Sequence, residues 1–233
     1  MKIIRKIKKI LGIYKQSDFI RELKEKGCII GKNLIIYAPQ NTLIDMTSAK
    51  FISIGDNVQI TDGCKILAHD YSYSVVTNLK NEILRPQRKT IIGNNVFIGM
   101  NSIILMGANI GDNVIIGAGS IVSGTVESNS VYAGNPAKKI CSIDEYYLKL
   151  KENYEKSAYI YLSTINESKE NTLNEIDFNI YQTLFSDKNI IKNYIENADY
   201  KGIKREVIEN LVFDAPKYNT MEEFLEKNKK LLY

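Results

Sequence analysis

The chain contains a single histidine, His69, and this residue restricts the possible chemistry more than any other. An unperturbed imidazole has a pKa of about 6.5, so it can accept a proton from a weak nucleophile near neutral pH. Any mechanism or metal site that needs two imidazoles from one chain is excluded. The sequence therefore leaves His69 as the one imidazole available for chemistry, against the alternative that it is an ordinary polar residue at a loop edge.

The composition is that of a globular chain with a sizeable core. It has 233 residues, of which 44% are hydrophobic and 25% are charged, and its formal net charge is +4. No apolar run approaches the roughly 20 residues that span a bilayer, which predicts a soluble protein. Cys28, Cys64 and Cys141 cannot all pair within one chain and show no CxxC spacing. We therefore expect a reduced, cytoplasmic protein without a metal site.

A repeat of six residues indicates the scaffold that must position His69. Aliphatic residues recur at this spacing in the second half of the repeat region, and glycine directly follows four of them. The aliphatic positions are Ile92, Ile98, Ile104, Ile110, Ile116 and Val122, and the glycines are Gly93, Gly99, Gly111 and Gly117. In the first half, the same frame holds Ile30, Ile36, Ile54, Ile60 and Ile66. Thr42 and Ser48 break the aliphatic rule in that half.

A strict period of six fits neither an α-helix nor an array of hairpins. A coiling β-strand remains, in which each hexad is a short strand followed by a corner, with the aliphatic side chain pointing inward. We expect glycine to ease the backbone at the corner. Cys64 falls at a small inward position of its hexad, which predicts a packed, inert thiol rather than a catalytic one.

The residues from Ile91 to Ile140, which end in AGNPAKKI, resemble the hexapeptide-repeat acyltransferases with a left-handed parallel β-helix. Within that family the chain is most similar to sugar and capsule-polysaccharide O-acetyltransferases, and the resemblance covers residues 28–141. It implies a mainly β fold and a homotrimer with active sites between subunits. It also implies acetyl-CoA as the co-substrate.

The repeat is interrupted between Ile66 and Ile92 by an excursion at 71–89, and interruptions of a regular scaffold are common binding places. The stretch LAHDYSYSV before it resembles the family segment in which the histidine is the general base, which implies that role for His69. Asp70 is a candidate to orient the imidazole, although adjacent residues on an extended chain point to opposite sides. Tyr71 and Tyr73 are candidates to stack on a sugar ring, or else pack the loop onto the coil.

The resemblance also implies a set of donor-binding residues. They are Met100, Ala118, Ser123, Gly124, Lys138 and Lys139. Cations at the last two positions suit a cofactor that bears phosphates, against the alternative of a solvated surface pair. Phe97 stands where relatives commonly have tryptophan, so an aromatic wall is kept and an indole hydrogen bond is not. Relatives often have a lysine where this chain has Gly124.

The two ends differ from the repeat region. Residues 1–27 read as a basic amphipathic helix that either caps the first coil or associates weakly with a membrane surface. Residues 142–233 have little glycine and form a predicted α-helical region whose role the sequence leaves open. Ser142 with Glu145, and Thr220 with Glu223, have the spacing of capping boxes.

These observations predict an acetyl-CoA-dependent O-acetyltransferase that acts on a sugar or polysaccharide precursor, with direct attack on the thioester and His69 as the base. One alternative is N-acetylation of an amino sugar or another amine on the same scaffold. Another is a non-catalytic β-helix that binds a partner. A carbonic-anhydrase-like metal enzyme needs three histidines per metal from two chains, which one histidine per chain cannot supply. No basic-aromatic pattern suggests nucleic acid binding.

Overall fold

The computed structural model describes residues 15–167 and 217–232, together with residues 184, 203, 206 and 207. Its contacts divide the chain into two compact units, Met1–Tyr146 and Tyr147–Tyr233. The helix predicted for residues 1–27 lies partly outside the described residues. Its described part is α1 (Gln16–Glu25).

The first unit winds three sheets into a β-helix, with successive strands passing from sheet A to sheet B to sheet C, and all pairs are parallel except that of the last two strands of sheet B, which is antiparallel. Sheet A holds β1 (Ile29–Ile30), β4 (Ile52–Ile54), β7 (Thr90–Ile92), β10 (Asn109–Ile110) and β13 (Thr125–Val126). Sheet B holds β2 (Ile35–Ile36), β5 (Gln59–Ile60), β8 (Val96–Ile98), β11 (Val114–Ile116), β14 (Ser130–Ala133) and β15 (Lys138–Ser142). Sheet C holds β3 (Leu43–Ile44), β6 (Lys65–Ile66), β9 (Ile103–Ile104) and β12 (Ile121–Val122).

The hexad register explains the core. Ile54, Ile92 and Ile110 stand opposite one another along sheet A, and each is 1% exposed. Backbone hydrogen bonds join each coil to the next, as from Gly55 N to Ile92 O at 2.9 Å. Burying one such side chain contributes about 1.5–3 kcal/mol, so the stacked columns account for much of the unit's stability. The predicted parallel β-helix is confirmed. Cys64 is fully buried with its Sγ 3.2 Å from the carbonyl oxygen of Gly99, as expected for a packed thiol.

The glycines that follow the inward aliphatic residues, such as Gly93, are not needed for a special backbone conformation at the corner, as was expected. A Cβ at Gly93 would lie 2.6 Å from the carbonyl oxygen of Gly111 in the next coil, so glycine is needed for close approach between coils. The left-handed backbone at the same corner belongs to asparagine instead, with φ of 54° at Asn95 and 56° at Asn113. Asparagine tolerates this region better than most residues.

The first coil is longer than the hexad frame predicts. Ile44, not Thr42, occupies the inward position in sheet C and pairs in register with Ile66. Thr42 is buried at the preceding corner, where its hydroxyl donates to the carbonyl oxygen of Ala38 at 2.9 Å. The extra residues therefore form wider corners and leave the core column intact.

Helix α1 packs on the first coil. Phe19 and Leu23 belong to the same buried cluster as Cys28 and Leu34. The side chain of Gln16 accepts from the backbone N–H of Ile36 at 2.8 Å, which fixes the helix on strand β2. The helix thus covers apolar core that an open coil would expose.

Further helices are α2 (Tyr73–Lys80), α3 (Ile143–Glu152), α4 (Tyr154–Glu167) and α5 (Met221–Asn228). Two short 3₁₀ helices span Ala49–Phe51 and Lys229–Leu232. The predicted capping box at Ser142 is confirmed, because Ser142 Oγ accepts from Glu145 N at 3.1 Å and Glu145 Oε2 accepts from Ser142 N at 2.7 Å. Thr220 caps its helix by accepting from Glu223 N at 3.1 Å, but Glu223 accepts from Asn219 N, so the reciprocal bond of a capping box is not formed there.

The second unit has its own small core, in which Ala158, Leu162 and Phe224 are buried together. The ring of Tyr218 meets that of Phe224 edge to face at 5.1 Å between centroids. Asn228 donates to the Tyr218 hydroxyl at 3.2 Å, which satisfies this buried pair. None of the helices in the described part of the chain is long and apolar enough to cross a membrane.

Candidate active site

His69 lies just after strand β6, at the corner that joins sheet C to sheet A. We call residues 67–89, 105–108 and 123–124 the cleft corner, because three successive coils contribute them at this edge. In the first of these coils the chain leaves the helix as the excursion that contains α2, and it returns at Thr90. The Thr90 hydroxyl donates to the Leu67 carbonyl oxygen at 2.7 Å, so the two ends of the excursion are joined beside His69.

Asp45 of the preceding coil holds the imidazole. Its Oδ2 is hydrogen-bonded to Nδ1 of His69 and also accepts from the backbone N–H of Ala68 at 3.3 Å. Its Oδ1 accepts from the hydroxyl of Thr47 at 2.6 Å and from the backbone N–H of Ser48 at 3.2 Å. The carboxylate side chain is 2% exposed and that of His69 is 29% exposed. The dyad therefore has a fixed inner member and an outer member that solvent can reach.

The charge of Asp45 fixes the tautomer of His69. Burial alone would raise the pKa of Asp45, but hydrogen bonds from Thr47 and His69 outweigh it and hold this pKa below its ordinary value. An ionised carboxylate can only accept, so Nδ1 of His69 carries the proton and donates it. The lone pair of the neutral imidazole is then on Nε2. No described residue hydrogen-bonds Nε2, which leaves it available to a ligand.

Asp70 does not hydrogen-bond the imidazole. Its two carboxylate oxygens accept from the backbone N–H and the hydroxyl of Ser72, both at 2.8 Å. These hydrogen bonds lower the pKa of Asp70, and the charge of Arg88 lowers it further. Asp70 thus stabilises the turn that precedes α2. The carboxylate that orients His69 is that of Asp45.

The two tyrosines of the excursion form an aromatic row beside the histidine. The Tyr71 ring meets the His69 ring edge to face, with 5.2 Å between centroids. Tyr73 stacks on Tyr71 at 6.1 Å. Tyr71 is 62% exposed, so most of its ring remains free for a ligand.

A cleft of about 340 Å³ opens at the cleft corner in front of His69. Two of the predicted donor-binding residues, Ser123 and Gly124, line it together with His69 and Asp70. The other lining residues are Leu67, Arg88, Leu105, Met106 and Gly107. The cleft therefore combines an imidazole, a carboxylate, a guanidinium and apolar side chains, which suits a small-molecule site.

The remaining predicted donor residues lie at other places on the coil. Met100 and Ala118 follow strands β8 and β11 at the corner between sheets B and C, where the backbone N–H of Gly119 donates to the Met100 carbonyl oxygen at 2.7 Å. Phe97 is on the outer face of sheet B and is 37% exposed.

Lys138 and Lys139 are exposed on β15. Lys139 forms an ion pair with Glu127 at 2.7 Å. Of the six predicted donor-binding residues, one chain thus brings only Ser123 and Gly124 to the cleft that His69 lines.

Sequence reasoning missed Asp45 and Arg88. Asp45 lies in the coil where the hexad frame slips, so its alignment with His69 could not be read from the period of six. A local signal was present, because Asp-x-Thr-Ser is typical of a turn in which aspartate accepts from the residues that follow. Arg88 had no such signal, because its place depends on how the excursion returns.

Comparisons with known proteins point in one direction. A family model described as the hexapeptide repeat of succinyl-transferase matches residues 89–123. Protein CapG of Staphylococcus aureus is 45% identical over 130 residues, which cover 56% of this chain and 73% of CapG. Galactoside O-acetyltransferase of Escherichia coli (strain K12) is 37% identical over 52% of this chain and 58% of its own length.

A third relative is the putative lipopolysaccharide biosynthesis O-acetyl transferase WbbJ of the same E. coli strain, which is 29% identical over 47% of this chain and 61% of its own length. The matched region is about half of this chain in each case. It spans three fifths of the length of the last two relatives.

Proposed function

This chain belongs to the hexapeptide-repeat acetyltransferases related to sugar O-acetyltransferases, and on that premise we propose that it transfers acetyl from acetyl-CoA to a sugar hydroxyl. The acceptor is a sugar or a polysaccharide precursor, the class of compound in the names of two relatives. The fold class predicted from the sequence, a mainly β, left-handed parallel β-helix with helical additions, is that of the family.

One observation carries the proposal: a buried, ionised Asp45 fixes His69 at the cleft with the lone pair of Nε2 available. A sugar hydroxyl is a poor nucleophile at neutral pH, so its attack on a thioester needs a positioned base. Nothing else lining the cleft can serve as well, because a guanidinium such as that of Arg88 has no acceptor atom and the hydrogen bonds from Ser72 lower the pKa of Asp70, which weakens it as a base.

In the proposed mechanism, Nε2 of His69 removes the proton of the acceptor hydroxyl while the hydroxyl oxygen attacks the acetyl carbonyl carbon. The imidazolium that forms is stabilised by the carboxylate of Asp45 through Nδ1. When the carbon–sulfur bond breaks, His69 returns the proton to the departing sulfur. The acetyl group moves directly to the acceptor oxygen, so no acyl-enzyme is required.

The cleft suits a slender acyl-CoA arm. A Cβ at Gly124 would meet nothing within 4 Å, so the wall formed with Ser123 is open and free of bulky side chains. Acetyl-CoA supplies the activated thioester when it is bound there. We place Met100 and Ala118 of a neighbouring subunit on the opposite side, because in one chain they lie at a different corner from His69. We propose that the subunits form a homotrimer, as the family resemblance implies, in which Lys138 faces the phosphates and Lys139 is shared with Glu127.

The first test is a calorimetric titration of the purified chain with acetyl-CoA, with free CoA as the comparison. We expect saturable binding at about one site per chain, which needs no knowledge of the acceptor. His69→Ala should bind acetyl-CoA as the wild type does, yet lose acceptor-dependent release of CoA. Absence of binding by the wild type would contradict acetyl-CoA as the donor, and full turnover by His69→Ala would contradict its role as the base.

A further inference from the structure

Arg88 is a cation that the returning end of the excursion places in the same cleft as His69. Two hydrogen bonds anchor the backbone on either side of it. Gln87 donates from Nε2 to the carbonyl oxygen of Ala68 at 2.9 Å, and the Thr90 hydroxyl donates to that of Leu67 at 2.7 Å. Both acceptors belong to the short run that carries His69, so the position of Arg88 is tied directly to that of the base.

Packing on Gly107 fixes the side chain as well as the backbone. A Cβ at Gly107 would lie 3.0 Å from Cδ and 3.1 Å from Nε of Arg88, so the arginine stem occupies the space that any other residue would fill. Gly107 also has φ of +86°, a conformation that glycine adopts without strain. Its backbone N–H is held by the hydroxyl of Thr90 at 3.2 Å. The stem of Arg88 therefore packs in the space that Gly107 leaves open.

The guanidinium has no ion-pair partner in the described part of the chain. The acid that lines the cleft, Asp70, is near enough for the charge of Arg88 to lower its pKa, but it forms no ion pair with the guanidinium and its hydrogen bonds are to Ser72. A guanidinium presents several N–H donors in a planar fork, which matches the two oxygens of a carboxylate or phosphate. A guanidinium without an ion-pair partner, in a cleft that also holds His69 and the apolar side chains of Leu105 and Met106, is suited to hold an anionic group of a ligand.

We propose that Arg88 is a specificity-determining residue that selects acceptors bearing an oxyanion close to the hydroxyl that is acetylated. This inference rests on the function proposed above. The shared chemistry is a planar or tetrahedral oxyanion. Its source is the carboxylate of a uronic acid or the phosphate of an activated sugar. The acetyl donor does not use Arg88, because its phosphates are remote from the thioester that reacts at His69.

The experiment uses matched acceptors and the full-length chain. The probes are methyl glucuronide, the neutral methyl glucoside, and UDP-glucose, each with saturating acetyl-CoA and with acceptor-dependent release of CoA as the readout. We expect the wild type to favour at least one anionic probe over the neutral one by roughly 10-fold or more in kcat/KM. Arg88→Gln should lower kcat/KM for that probe by roughly 10- to 100-fold and leave the neutral probe nearly unchanged.

Two further variants separate charge from shape and from general surface effects. Arg88→Lys keeps the charge but loses the fork, so we expect it to recover only part of the preference. Lys89→Gln removes a neighbouring exposed cation that does not line the cleft, and it should behave as the wild type. The KM for acetyl-CoA should be the same in all four proteins.

Each outcome decides between the two proposals. If acetyl is transferred but the neutral probe is preferred, or if Arg88→Gln lowers all probes equally, the role of Arg88 is wrong and the proposed function stands. A raised KM for acetyl-CoA in Arg88→Gln would assign the arginine to the donor instead. If the wild type acetylates none of the probes, the proposed sugar O-acetyltransferase function itself is contradicted. Loss restricted to UDP-glucose identifies phosphate as the source, and loss restricted to the glucuronide identifies carboxylate.

Discussion

The corner that joins sheet A to sheet B repeats the same contacts in successive coils, whereas the cleft corner changes from coil to coil. We call residues 31–34, 55–58, 93–95, 111–113 and 127–129 the ladder corner. There, Asn95 donates from its side chain to Asn113, and Asn113 donates to Asn129, at 2.9 and 2.8 Å. Backbone N–H groups at the same corner are also bound by the next coil, as from Asn94 N to Asp112 Oδ1 at 2.6 Å.

The cleft corner has connections of very different length. The connection after β12 is two residues, Ser123–Gly124, while the one after β6 is the whole excursion. Polar groups here are left with free hydrogen-bonding capacity, notably Nε2 of His69 and the guanidinium of Arg88. Where the coils repeat regularly, the polar groups of each coil are hydrogen-bonded by the next coil. Sites for ligands therefore arise where the repetition is broken.

The sharpest test of this contrast is the loss of the base at the cleft corner. His69→Ala should lower kcat by roughly 10²- to 10⁴-fold, because no other side chain in the cleft can take the hydroxyl proton. The free energy of unfolding should fall by only about 1–3 kcal/mol, because the buried carboxylate of Asp45 loses its bond to His69 but keeps those from Thr47 and Ser48. Initial rates and a urea titration of the same preparation measure the two quantities. A large loss of stability would mean that the cleft corner is structural after all.

The converse test changes a glycine at the ladder corner. Gly93→Ala places a methyl group 2.6 Å from the carbonyl oxygen of Gly111, so the coils must move apart and we expect a loss of about 3 kcal/mol in unfolding free energy. Gly119→Ala is the control, because its Cβ would meet nothing within 4 Å and only φ of +68° is strained. It should cost about 1 kcal/mol. Equal costs in the two variants would refute close approach as the reason for glycine.

Asp45 contacts His69 but does not line the cleft, so its replacement should lower kcat without changing the binding of acetyl-CoA. Asp45→Asn should lower kcat by roughly 10- to 100-fold, because an amide no longer fixes the tautomer of His69 or stabilises its imidazolium. The KM for acetyl-CoA should not change, since Asp45 does not line the cleft. Steady-state kinetics separate these effects. An unchanged kcat would show that His69 is positioned by its surroundings alone.

The asparagine ladder should contribute stability and no activity. Asn113→Ala loses two ladder hydrogen bonds and places alanine at φ of 56°, so we expect a cost of about 1–2 kcal/mol in chemical denaturation. Asn113→Gly loses the same bonds without the backbone strain and should cost less. The value of kcat should remain that of the wild type in both, and a fall in kcat would link the two corners.

The smallest effect concerns pH. The pKa of Asp45 is lower in the folded protein than its ordinary value, so its ionisation stabilises the fold above the unfolded pKa, and this contribution is lost as the pH falls through the folded value. The difference in unfolding free energy between wild type and Asp45→Asn should therefore stay constant above about pH 5 and shrink as the pH falls below it. Denaturation curves at several pH values measure it. A constant difference would mean that hydrogen bonding geometry, not charge, is what the variant loses.

Much of the scaffold follows from the amino-acid sequence alone. The six-residue spacing from Ile92 to Val122 identified the inward column, since a strand alternates its faces and stacking aligns equal positions. The frame failed at Thr42 and Ser48, because corners can lengthen without disturbing the column. The reason for glycine at positions such as Gly93 was also misread, because close approach between coils is a long-range contact.

The sequence by itself determined the coil, the packed thiol of Cys64 and the capping box at Ser142, and it singled out His69 as the candidate base. These follow from local spacing and composition, which act over a few residues. Only the tertiary structure decided that Asp45 orients His69, that Asp70 serves its own turn, and that Arg88 rests on Gly107 in the cleft. Asp45 and His69 are 24 positions apart and Arg88 and Gly107 are 19 apart, so whether they meet depends on how long each corner is. A repeat determines which side chains point inward, but the lengths of its interruptions determine which outward side chains meet.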